Sequence, residues 1–540
     1  MVPRRYRKIR EMSSSEQIVY GILVFVGMGL TIFFGVWWFQ SVHIPRNFQY
    51  GAHLFDVLLF VLLSYVVWYQ IIYEIFSWYI AGFMKHPEPA ASPVPNLKVA
   101  LLTAFVPGKE PYDMLEHSLE AMVAVDYQHD TWVLDEGDDM IVKNTCQKLG
   151  VRHYSRKNST IYNAPEGAFK RKTKAGNYNS WFDRHSKGYD IVAQHDVDFV
   201  PRKDFLMKTL GYFQDPDIAS VGTPQIYGNE DASWIARGAA EQQYGFYGPT
   251  QKGLYGGYDM PLFIGANHVI RRSAHDDIGG YAGHIVEDHL TGMKLYARRW
   301  KSIYVPEILL VGEGPATWDA YFSQQMRWAY GLIDILFFHS PRIFRAMKLH
   351  HVINYFLLQQ YYFYGIVQAI GIFLITLYCV FGLQTTSMPL VPLLTHFVPL
   401  LAFQLVVFLW LQRFNIDSKH ERGLLLRGRL LALAAWPVYF LAYLGVIVRR
   451  RLAYTVTPKG SEQIFRARPV LFVPHVVLGT ITAADVVIAS LAGRSAPLII
   501  FLALLNTIIM YWFFFNALIR DRWSATTVQN LSRNSKIHDK

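Results

Sequence analysis

Two carboxylates, Asp196 and Asp198 in "HDVD", stand two residues apart just after an apolar run. In a turn, such a pair can hold a hard divalent cation that also binds two phosphates, and all-oxygen ligands suit Mg²⁺ or Mn²⁺. A second acidic run, "DEGDD" from Asp135 to Asp139, also follows an apolar run. A carboxylate there can accept hydrogen bonds from a nucleotide base or ribose. Lys170, Arg171, Lys172 and Lys174 lie beside Gly176 and Asn177 in "KRKTKAGNYN", and cations near a small turn suit phosphate. Glu287 and Asp288 in "HIVEDHL" head a helix-like run. An aspartate starts near pKa ~4, so it needs burial or a negative neighbour to become a better general base. In "YFSQQMRW", Arg327 can neutralise a diphosphate leaving group and Trp328 can offer a flat face to a sugar. Each motif alone has a blander explanation: a solvated turn, a charged helix start, a first-turn acid, or an amphipathic helix resting on a membrane. The chain has no GxGxxG and no Walker lysine loop, so phosphate must be held otherwise.

The elements that must position these residues read as an α/β domain. "KVALLTAFV", "TWVL", "YDIVAQ", "IASVG" and "SIYV" are buried-strand patterns, and "YDMLEHSLEAMVAV" and "MIVKNTCQKLG" have helical periodicity. Alternation of this kind predicts a mostly parallel sheet covered on both faces. Ligands of such sheets bind at the carboxyl ends of the strands, where both acidic clusters fall.

The rest of the chain belongs to a bilayer. Of 540 residues, 52% are hydrophobic. Six runs are long and apolar enough to cross: Val19–Phe39, Val57–Ile80, Tyr355–Phe381, Leu390–Leu411, Val470–Ala492 and Leu498–Ile519. The first follows "RRYRKIR"; it is too long for a signal-peptide core and lacks a small-residue cleavage site, so it reads as a retained helix. The net charge of +11 gathers around these runs, as expected of cytoplasmic loops, and does not call for nucleic acid. The two cysteines, Cys146 and Cys379, exclude a disulfide framework. Leu430–Val448 is apolar but flanked by Arg427, Arg429 and Arg449 to Arg451. Basic residues at both ends argue for an interfacial or re-entrant segment bent at Pro437. Gln359, Gln360, Tyr361, Tyr362, Tyr364 and Gln368 could line a hydrated path or bond helix to helix, and Asp485 could line the same path or lie near Arg494.

The order D-E-G, K-A-G-N, D-x-D, E-D, Q-x-x-R-W between membrane helices resembles processive family 2 membrane glycosyltransferases, which include cellulose, chitin and hyaluronan synthases. "YTVTPKG", Tyr454 to Gly460, is similar to the gating-loop motif F-x-V-T-x-K of cellulose synthases. The resemblance implies a GT-A type domain of mostly parallel sheet inserted between transmembrane helices. It implies this order: 1–94, tail and two transmembrane helices; 95–330, catalytic domain; 331–354, interfacial helices; 355–412, two transmembrane helices; 413–469, interfacial helix and gating loop; 470–519, two transmembrane helices; 520–540, tail. By residue, Asp135 and Glu136 would bind the uracil or ribose end of a nucleotide sugar, with Lys174 close by. Asp196 and Asp198 would hold the diphosphate through Mg²⁺ or Mn²⁺. Asp288 would be the general base. Gln324 and Arg327 would grip the diphosphate, Trp328 would stack on the polymer end, and Thr457 and Lys459 would sit in a loop closing over the nucleotide. The expected activity is inverting polymerisation of a β-glucan from UDP-glucose, with export through the chain's own channel, in a plasma or inner membrane with the catalytic domain cytoplasmic. Alternative donors are UDP-N-acetylglucosamine or GDP-mannose, and the rival class is a polyprenyl-phosphate sugar transferase. Accessory export subunits are possible partners. The pattern departs from the family at Glu136, at "LFIGAN" (Leu262 to Asn267), at Val286 and at Gln325. A cyclic-di-GMP-binding domain is not expected within this chain.

Overall fold

A computed structural model describes residues 8–48, 53–450, 452 and 468–535. Two long apolar helices come first, α1 (Ser14–Trp38) and α2 (His53–Ala81). α1 starts at a capping box: the Ser13 hydroxyl accepts from the Glu16 amide, and the Glu16 carboxylate accepts from the Ser13 amide.

The polar block after α2 is built on seven strands: β1 (Val99–Phe105), β2 (Asp130–Asp135), β3 (Arg152–Tyr154), β4 (Ile191–Asp196), β5 (Ile218–Gly222), β6 (Asn267–Arg271) and β7 (Lys301–Tyr304). Their order is β7-β5-β6-β4-β1-β2-β3. Every pairing is parallel except those of β6, which runs antiparallel to β4 and β5. The longer helices of the block are α3 (Tyr112–Val123), α4 (Met140–Leu149), α5 (Lys174–His185), α6 (Trp234–Gly245), α7 (Glu287–Ala297) and α8 (Trp318–Asp334). Because side chains alternate along a strand, β1 serves two cores. Leu101 packs with Leu119 and Met122 of α3 and Cys146 of α4, whereas Leu102 packs with Tyr178 and Trp181 of α5. That two-sided burial is why "VALLTAF" is apolar at every position but Thr103. The strand β6 escapes a hydropathy reading, since "NHVIR" mixes His268 and Arg271 into five residues.

Beyond α8 come α9 (Leu349–Gln359), α10 (Tyr364–Phe381), α11 (Leu390–Leu411), α12 (Leu426–Ile447), α13 (Val473–Leu491) and α14 (Pro497–Ser535). The apolar run expected from Tyr355 to Phe381 lies within one candidate membrane span, Leu349–Phe381, which tightens for one turn at Gln360–Phe363. Among the described residues seven helices are long and apolar enough to cross a membrane, the seventh being α12. α12 runs unbroken through Pro437. Neighbours hold this helix on two sides, α6 and α8 from the polar block and α10 from the membrane set. Gly365 permits the last approach, as a Cβ there would lie 2.5 Å from the Phe440 nitrogen. Asp485 accepts a hydrogen bond from Thr376 Oγ1 at 2.7 Å, joining α13 to α10. Both cysteines are buried and unpaired.

Candidate active site

The sheet brings the acidic motifs together by register. Asp135 ends β2 opposite Phe105, and Asp196 ends β4 opposite Ala104, so the two flank the carboxyl end of β1. A cavity of about 620 Å³ opens there. Glu136, Lys174, Asp196, Asp198, Asp288, Gln324, Arg327 and Trp328 all line it. These residues come from separate stretches of chain, and only the tertiary fold makes them neighbours.

Asp135 is the exception. It is fully buried below the cavity, and its carboxylate accepts from the amides of Gly137 and Asp139, at 2.7 and 2.6 Å, and faces His153 Nε2 at 3.0 Å. It organises the turn, and Glu136 is the member of the pair that reaches the cavity. Thr457 and Lys459 lie outside the described residues.

Glu136 does not stand alone. Arg156, whose side chain is fully buried, donates to it at 3.0 and 2.6 Å and also binds the carbonyls of Tyr162, Lys170 and Thr173. One guanidinium therefore fixes both the acidic turn and the loop leading to Lys174. Nothing in "YSRKN" marks Arg156 out, since its partners are remote carbonyls. Arg156→Ala leaves those groups without their donor, and we expect a loss of about 3–5 kcal/mol, the scale for breaking a buried ion pair. Thermal unfolding and proteolysis of the 160–173 loop measure it.

Lys174 opens α5 after the Thr173 cap. Its ammonium binds Asp196 Oδ1 and donates to the Gly265 carbonyl at 2.7 Å. Burial alone would lower the Lys174 pKa, but the charges of Asp196 and Glu287 outweigh it and hold the amine well above its usual value. Asp198 is buried, and its Oδ2 accepts from the Glu313 amide at 3.2 Å.

Glu287 and Asp288 form the first turn of α7. Asp288 accepts from the His289 amide at 2.7 Å and from the Gly265 amide at 3.1 Å. Gly265 is required for that approach, because a Cβ would fall 2.7 Å from Asp288 Oδ2. Burial raises both carboxyls, pushing Glu287 up to about 7; for Asp288 the amides of His289 and Gly265 and the nearby Lys174 oppose it only in part.

Gln324, Arg327 and Trp328 follow a three-and-four spacing on α8 and so share a face. Gln325 turns elsewhere and accepts from Tyr439 of α12 at 2.9 Å. Trp328 also borders a second cavity of about 390 Å³, which shares Gln225, Gly265, Val286 and Asp288 with the first. Its other walls include Tyr73 of α2 and Tyr361 and Tyr362 of the turn before α10. Gln359 is not in this wall. It bonds Ser340 at 3.0 Å and His289 at 3.1 Å and ties α9 to α7.

Residues 191–448 match the Glycosyl transferase family group 2. A cellulose synthase catalytic chain of Dictyostelium discoideum is 36% identical over 168 residues, covering 30% of this chain and 16% of that protein. The cellulose synthase catalytic subunit of Xanthomonas axonopodis pv. citri is 25% identical over 361 residues, covering 64% of this chain and 46% of that protein. The matched regions thus span less than half of these relatives. Among solved structures, the mannosyltransferase PcManGT of Pyrobaculum calidifontis aligns over 73% of this chain and 99% of its own, with 15% identity and a TM-score of 0.46. The chain, whose described residues include seven helices long and apolar enough to cross a membrane, is thus similar in part to family 2 glycosyltransferases and to cellulose synthase catalytic subunits.

Proposed function

We propose that this protein is a processive, inverting hexosyltransferase that builds a β-glucan from UDP-glucose and exports it through its membrane helices. The observation that carries this is the adjacency of the two cavities: one holds the acidic motifs and Arg327, the other reaches the membrane helices, and Asp288 and Trp328 border both. Donor and acceptor would meet at that junction.

The donor set fits a hard cation. Asp196 and Asp198 offer carboxylate oxygens to the same cavity and would hold Mg²⁺ or Mn²⁺. Such an ion, when bound, neutralises charge on the diphosphate. Glu136 faces the nucleoside end, while Gln324 and Arg327 hold the diphosphate oxygens. Trp328 stacks on the terminal sugar of the growing chain. The acceptor hydroxyl oxygen bonds to the anomeric carbon as the bond from that carbon to the diphosphate oxygen breaks. The electron pair leaves with the nucleoside diphosphate, and the hydroxyl proton passes to Asp288. One displacement of this kind inverts the anomeric centre.

The polar block is assigned to the cytoplasm of a plasma or inner membrane. The packing of α12 on α6 and α8 supports an interfacial place for that helix and six crossings. Thr457 and Lys459 are assigned to the closing loop by sequence alone.

The test is a donor panel. Purified protein receives UDP-glucose, UDP-N-acetylglucosamine or GDP-mannose with Mg²⁺ or Mn²⁺, and products are sized and digested with linkage-specific hydrolases. Long polymer from UDP-glucose is the expected product; a single sugar on lipid, or no turnover, rejects the proposal. The acid side of the rate profile gives a second check. Asp288 accepts a proton only when ionised, and burial raises its carboxyl, so kcat/KM falls with decreasing pH at a midpoint above the ordinary aspartate value of about 4. A midpoint at or below that value contradicts the base assignment.

A further inference from the structure

Behind the Glu287–Asp288 turn, and outside both cavities, three side chains converge. His284 Nε2 lies 3.1 Å from Asp334 Oδ2, and His339 Nε2 lies 3.6 Å from the same oxygen. Only His284 continues the contact inward, since the Val286 amide donates to its Nδ1 at 3.2 Å. A neutral imidazole that accepts at Nδ1 carries its proton on Nε2, so His284 donates to Asp334. The relay joins the last residue of α8 to the residue just before Glu287 and Asp288. A second contact acts on the same residue: a Cβ on Gly331 of α8 would fall 2.1 Å from Val286 Cγ2. Val286 is therefore held by α8 at both its amide and its side chain, and α8 is the helix that carries Gln324, Arg327 and Trp328.

We propose that Asp334 and His284 are positioning residues for the transfer reaction, locking the turn that carries Asp288 to the helix that carries Arg327 and Trp328. The inference rests on the function proposed above. Its physical basis is that Val286 begins α7 without a side-chain cap, so the turn takes its support from α8. His284 and Asp334 are screened from water, with side-chain exposures of 12% and 17%, whereas that of His339 is 41%. Burial would raise the Asp334 carboxyl, but the hydrogen bond from His284 and the nearby His339 outweigh it and hold the group below its usual range. The same three residues have a composition suited to a transition metal. A metal on Nε2 of a neutral His284, however, needs the proton on Nδ1, where it would face the Val286 N–H. Positioning is therefore favoured.

The test uses the full-length protein and the variants His284→Ala, Asp334→Ala, their double, Asp334→Asn and His339→Ala. We expect each alanine at 284 or 334 to lower kcat by about tenfold or more, as misplacement of a reacting group does. KM for UDP-glucose should stay within about twofold, since donor contacts are untouched. The double variant should be no worse than the worse single, Asp334→Asn should recover most of the rate by keeping an acceptor, and His339→Ala should match wild type. Hydrogen exchange of the amides at 285–289 should quicken in both single alanine variants. Multiplying losses, unchanged exchange, or a His339→Ala loss equal to that of His284→Ala with stoichiometric zinc in the wild type would each overturn the proposal. If Asp334→Ala does not fold, exchange in His284→Ala decides. Exchange needs no donor, so an inactive wild type would reject the transferase function while the coupling is still decided.

Discussion

Asp288→Asn should abolish sugar transfer while leaving nucleotide binding intact. The two side chains have the same shape, and an amide oxygen can still accept from the Gly265 N–H that now bonds Asp288 at 3.1 Å. The His289 N–H that now bonds the other oxygen at 2.7 Å loses its acceptor, a local cost to the turn, and the proton acceptor is lost with it. General bases contribute about 10²–10⁴-fold to rate, and kcat should fall by that factor. Binding of UDP, measured calorimetrically, should be unchanged, because the donor contacts assigned to Asp196, Asp198 and Arg327 remain. A variant with wild-type kcat would remove Asp288 from the base role. Glu287 would then be the next group to test, since it shares the cavity and its carboxyl is also raised by burial.

Arg327→Ala should have the second large effect. Breaking the anomeric bond leaves a diphosphate with growing negative charge, and a preorganised cation that meets this charge acts mainly in the transition state. Loss of one such donor costs about 10²–10³-fold in kcat. Arg327→Lys should recover only part, because an ammonium cannot reproduce the planar fork of a guanidinium. The pattern to look for is a large fall in kcat with a smaller change in KM for UDP-glucose. If Arg327→Ala instead raised KM alone, its role would be uniform donor binding. Gln325 makes a useful comparison: it is adjacent to Gln324 but bonds Tyr439 of α12 and borders the second cavity, so its replacement should disturb α12 and that cavity more than the leaving group.

Much of the site is legible from residue types because its chemistry is local. Carboxylates two residues apart, a lysine at a helix start and an Arg-Trp pair are each ambiguous alone and become informative through their order along the chain, and seven of the described candidates share one cavity with Glu136. Asp135 lies outside the cavity lining for a tertiary reason. Two backbone amides and His153 surround its carboxylate, and nothing in "DEGDD" reveals which acid points inward. Arg156 and the Asp334–His284 relay are invisible in the sequence because each acts across many residues of intervening chain. Likewise, β6 lacks a periodic signal, and the continuity of α12 through Pro437 depends on the helices around it.

By itself the sequence determined the classes of element: apolar runs of membrane length, buried strands ending in acids, and the type of chemistry those acids can do. These follow from hydrophobicity and periodicity, which act over a few residues. Only the tertiary structure decided which acid faces the cavity, which glycine lets Asp288 approach the backbone, and how the cavity meets the aromatic wall at the membrane helices. Those choices are made by register, burial and close packing between distant segments, and a linear pattern does not carry such distances.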